Sequence, residues 1–63
     1  MTTIEQVSYM LLNYRLKNNL TQMQAAKELG VSNGTIVSIE KQRKVSPRCL
    51  VLVYNKLLEK GMN

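Results

Sequence analysis

Lys41, Arg43, Lys44 and Arg48 fall within a single eight-residue stretch, and no acidic residue interrupts the chain between Glu40 and Glu59. Uncompensated cations at that density attract a polyanion: the phosphates of a nucleic acid or an anionic membrane surface. An ordinary solvated loop is the bland reading of the same residues, and what lies beside them must decide. Groups for covalent chemistry are almost absent. The chain has no histidine, no aspartate and one cysteine, Cys49. No triad, carboxylate pair or zinc site can be assembled from that set. Neither catalysis nor a metal or cofactor is expected, and Cys49 reads as a small buried apolar residue in a reducing compartment.

The elements that hold these cations must come from a short chain. Its 63 residues carry nine Lys and Arg against four Glu, a net charge of +5. A single domain of this size buries only about 60% of its unfolded surface, so its core is marginal. No apolar run is long enough to cross a membrane, and no basic segment precedes an apolar one at the N-terminus. Neither a spanning segment nor a signal peptide is expected, which points to the cytoplasm.

The apolar spacing and punctuation predict four helices and no sheet. The first covers residues 3–18, with Ile4, Val7, Leu11 and Tyr14 on one face and a capping box from Thr2 with Glu5 or Thr3 with Gln6. Asn18 and Asn19 should end it, since Asn tolerates a left-handed conformation. The second covers residues 22–29, opened by Thr21 with Gln24 and stopped by Gly30. The third covers residues 33–41, with Ser32 as N-cap and Ile36 and Ile39 turned inward. Ser46-Pro47 starts the fourth, which runs to about residue 60 with Leu50, Val53, Tyr54 and Leu57 as its core face. Only CLVLVY, residues 49–54, suits a strand, and the Ser-Pro start argues against it. The tyrosines Tyr9, Tyr14 and Tyr54 read as core-edge residues rather than stacking platforms, which would want several aromatics on a basic face.

Ala25 and Ala26 let a second helix approach the second element closely, and Gly30 permits a sharp turn. The outer face of the third helix carries Asn33, Gly34, Val37, Ser38 and Lys41. That face is too small and polar for a core, and it suits a groove about 12 Å wide. Two close helices with a tight turn form a helix-turn-helix. The segment LTQMQAAKELGVSNGTIVSIE, residues 20–40, resembles the phage-repressor and Cro family, also called XRE or Cro/cI-like. Thr21-Gln22, Ala26, Leu29-Gly30, Ser32, Thr35-Ile36, Ile39-Glu40 and Pro47 carry the likeness, which extends over residues 11–57.

The resemblance implies a compact all-α, four-helix, lambda-repressor-like domain without a clear fifth helix. It implies that Gln22 anchors the second helix to a phosphate, that Asn33, Gly34 and Ser38 occupy base-reading positions, and that Arg43, Lys44 and Arg48 grip the sugar-phosphate backbone. Lys41 joins them by position, and Val37 can meet a thymine methyl. Relatives often carry a long polar reader where Gly34 stands, and Gly34 costs about 1 kcal/mol of helix stability relative to Ala. Arg15 and Glu40 would each be costly alone on inward helix sides. In the resembling family, residues at their positions pair.

The expected function is sequence-specific regulation of transcription on double-stranded DNA, as a repressor of phage or mobile-element type. The expected site is the bacterial cytoplasm or nucleoid. The alternative is an antitoxin-like or recombination-accessory protein whose main role is to bind a protein partner. A membrane-active cationic helix is disfavoured by the glycine punctuation. Surplus apolar residues remain: Tyr9, Leu12 and Leu16 on the first helix, and Val51, Leu52 and Leu58 on the fourth. They suggest a homodimer, with the fourth helix at the interface, reading an operator with paired half-sites.

Overall fold

The computed structural model describes residues 3–62. Four helices follow in order: α1 (Ile4–Asn18), α2 (Gln22–Leu29), α3 (Asn33–Glu40) and α4 (Pro47–Glu59). Each begins on a hydroxyl N-cap. Thr3 accepts from the Gln6 amide, Ser32 from Thr35 and Ser46 from Cys49. At α2 the capping box is complete: Gln24 N–H donates to Thr21 Oγ1 at 3.1 Å, and Thr21 N–H donates to Gln24 Oε1 at 2.8 Å. The alternative α1 box from Thr2 lies outside the described residues.

The four helices also end alike. Asn19, Gly30, Gln42 and Gly61 have φ of 54°, 71°, 55° and 85°. The residue after each donates its amide back to the last turn: Leu20 to Arg15 O, Val31 to Ala26 O, Arg43 to Ser38 O and Met62 to Leu57 O, at 2.8–3.0 Å. This closure satisfies carbonyls that a helix end would otherwise leave unpaired. Leu20, Val31 and Met62 then pack against the core, so three of the four closures double as hydrophobic clasps.

That core is built from Val7, Met10, Leu11, Tyr14, Ala25, Ala26, Leu29, Ile36, Ile39, Val53 and Leu57. α3 packs on both α2 and α1, and α4 closes against α1 and touches α2. Because α3 and α4 flank α1, its buried stripe shifts from the expected one. Met10 is buried, while Ile4 in the first turn is only half-buried. Met23 is exposed, leaving Ala25, Ala26 and Leu29 as the buried face of α2. Cys49 is half-buried rather than buried. Leu50 and Tyr54 pack on the core edge, and Tyr14 is buried, but Tyr9 is 73% exposed.

Candidate nucleic-acid interface

α2 packs directly on α3, with Ala25 and Ala26 buried and Gly30 through Ser32 making the turn. Gly30 has open space where a Cβ would sit, so its positive φ, not crowding, is what a side chain would oppose. Ile36 and Ile39 are fully buried and fix the roll of α3 about its axis. That roll leaves Asn33 and Gly34 exposed, with Val37 and Ser38 half-buried beside them. Among the described residues the side chains of Asn33 and Ser38 make no hydrogen bond within the protein. A cation-rich segment follows at once: Lys41, Arg43 and Lys44 are exposed, Val45 pins the loop to the core, and Arg48 is exposed in the first turn of α4.

The orientation of α3 is also held from its far end. Arg15 Nη1 of α1 donates to both carboxylate oxygens of Glu40 at 2.7 Å. Arg15 Nε donates to Leu20 O at 3.2 Å, which ties the same side chain to the α1–α2 connection. The two side chains are 22% and 13% exposed, so the pair is largely withdrawn from water. Gln22 Nε2, at the start of α2, donates to Glu40 Oε1 at 2.9 Å. The opposite amide orientation would set a carbonyl against a carboxylate. Glu40 therefore joins α1, α2 and α3. Its link to Gln22 lies beyond what spacing alone could show, because the two residues are 18 positions apart.

Residues 11–51 match the family model for the helix-turn-helix, a stretch that takes in all of α2, α3 and the cationic loop. The chain belongs to the XRE-type, Cro/cI-like helix-turn-helix family. This family consists of DNA-binding regulatory domains, which are not typically enzymatic. No curated protein and no solved structure matches the chain.

Within this helix-turn-helix, two apolar surfaces stand apart from α3. On α1, Tyr9, Leu12 and Leu16 lie opposite the buried stripe, with Leu16 71% exposed. On α4, Val51, Leu52 and Leu58 are exposed, and Pro47, Arg48, Val51, Leu52 and Asn55 line an open groove. Arg48 thus belongs to both the cationic segment and the rim of this apolar groove. Among the described residues no helix is long and apolar enough to cross a membrane.

Proposed function

We propose that this protein is a sequence-specific regulator of transcription, a repressor of phage or mobile-element type, that lays α3 in the major groove of double-stranded DNA. The observation that carries this reading is the outward face of α3, polar and unengaged, running directly into an exposed cationic loop. An α-helix with its side chains is about 10–12 Å across, which matches the groove width. Asn33 would pair with N6 and N7 of an adenine, Val37 would meet a thymine methyl, and Ser38 would complete the readout. Gly34 would let the groove edge come close. Lys41, Arg43, Lys44 and Arg48 would take phosphates on either side. Gln22 can reach a further phosphate without leaving Glu40, because its amide has a second N–H.

Two copies would act together. The Cα extents of one protomer are 26 × 23 × 17 Å, shorter than the roughly 34 Å between half-sites one helical turn apart. The exposed Val51, Leu52 and Leu58 favour a homodimer through α4. The same apolar surface supports the second reading, a protein partner of antitoxin or recombination-accessory type. The setting would be the bacterial cytoplasm or nucleoid.

The test is the salt dependence of binding to duplex DNA. Four phosphates neutralised per protomer make about eight per dimer, so log K should fall against log[salt] with a slope of roughly −7. A slope shallower than about −2 would remove the phosphate assignment.

A further inference from the structure

The buried stripe of α1 faces α3 and α4, so its outer row, Tyr9, Leu12 and Leu16, is turned away from both. That row therefore lies across the molecule from the outward face of α3 and is separate from the apolar surface of α4. It is also the barer of the two: Tyr9 and Leu16 are 73% and 71% exposed, against 46% for Val51 and 44% for Leu52. Alternating steps of four and three residues carry the row from Glu5 through Tyr9 and Leu12 to Leu16, the spacing of a helix-pairing seam.

The two ends of this seam carry opposite charges. Glu5 stands in the first turn of α1 and Lys17 in the last. Both are exposed, and neither forms an ion pair among the described residues. A surface with this polarity is complementary to itself when reversed. In an antiparallel pair the seam sets Tyr9 against Leu12 of a second copy, and Glu5 beside Leu16 and Lys17 of that copy. A parallel pair would bring Glu5 to Glu5 and Lys17 to Lys17. The seam is short, however: α1 is about 22 Å long, and one helix face falls below the roughly 800 Å² per partner of a stable interface. Such a contact holds only copies already brought together, as on one duplex, where the effective concentration is on the order of millimolar.

We infer that the outer row of α1 docks antiparallel on the same row of a second copy and joins protein bound at neighbouring sites on one DNA duplex. This rests on the function proposed above. It adds to the α4 contact, which joins two copies within an operator, because the two surfaces can be used at once.

The experiment titrates mixed-sequence duplexes of about two and about six helical turns, which hold one dimer or several. Wild type should bind the long duplex about tenfold more tightly per site than the short one. Leu16→Glu should lose that difference, with unchanged affinity for the short duplex and an unchanged melting temperature. Glu5→Lys and Lys17→Glu should each lose it too, since each sets like charges together. An equimolar mixture of these two variants should regain it, because the mixed pair restores both attractions. Equal affinity per site on the two duplexes for wild type would overturn the inference and leave the proposed function standing. Loss of short-duplex binding by Leu16→Glu would also overturn it, by placing the row inside the operator-bound dimer. A mixture no better than its components would exclude the antiparallel second copy. A wild-type protein that binds neither duplex would overturn the proposed function as well.

Discussion

Glu40 receives donors from two other helices: Arg15 of α1 and Gln22 of α2. Removing a donor from a carboxylate that is 13% exposed leaves it short of partners in a poorly solvated place. Arg15→Ala should therefore lower stability by about 2–3 kcal/mol in denaturant unfolding. It should weaken DNA binding as well, although Arg15 is no part of the outward face of α3. An unchanged unfolding midpoint would show that the pair does not hold α3. Legibility was uneven among these residues. The inward placement of Arg15 and Glu40 followed from their apolar neighbours, and family resemblance suggested the pairing. For Gln22 the resemblance implies a phosphate alone, because a hydrogen bond between residues 18 positions apart depends on how α2 and α3 cross. Gln42 carried no signal, since glutamine has no preference for the left-handed region and its φ follows from the closure of α3.

At the scale of elements, α3 shows what the fold does and does not require. A Cβ at Gly34 would meet only Ser32 Oγ, at 3.9 Å, and Gly34 has no positive φ. Neither packing nor backbone geometry calls for glycine there. Gly34→Ala should thus stabilise the protein by about 0.5–1 kcal/mol in thermal unfolding. If the groove edge comes close at this residue, the same change should weaken operator binding; unaltered binding would mean that Gly34 lies away from the duplex. The helix boundaries were readable because caps and stops are local: Thr3, Thr21, Ser32 and Ser46 open their helices, and Asn19, Gly30 and Gly61 close three of them. The buried stripe of α1 was less so. Exchange of Ile4 for Met10 depends on the directions from which α3 and α4 cover the helix, and a single helix's periodicity does not contain that information.

At the scale of the whole molecule, a small core coexists with two uncovered apolar rows. A chain of 63 residues gains from covering them with a second copy. Sedimentation at micromolar concentration should find a dimer, free or on DNA, and Leu52→Glu should shift it to monomer. A wild-type protein that stays monomeric in both conditions would leave α4 to a different partner. The proposed dimerisation and the proposed readout by α3 would meet in the sequence the protein selects. Selection of bound duplexes from random DNA, run in parallel on wild type and Asn33→Ala, should return two symmetry-related half-sites about one helical turn apart for the wild type. In the variant, the preference at one base pair of each half-site should relax, at a cost of about 1–3 kcal/mol for the wild-type operator. Recovery of no preferred sequence, or of the same sequence with equal preference from both proteins, would contradict the placement of α3 in the major groove.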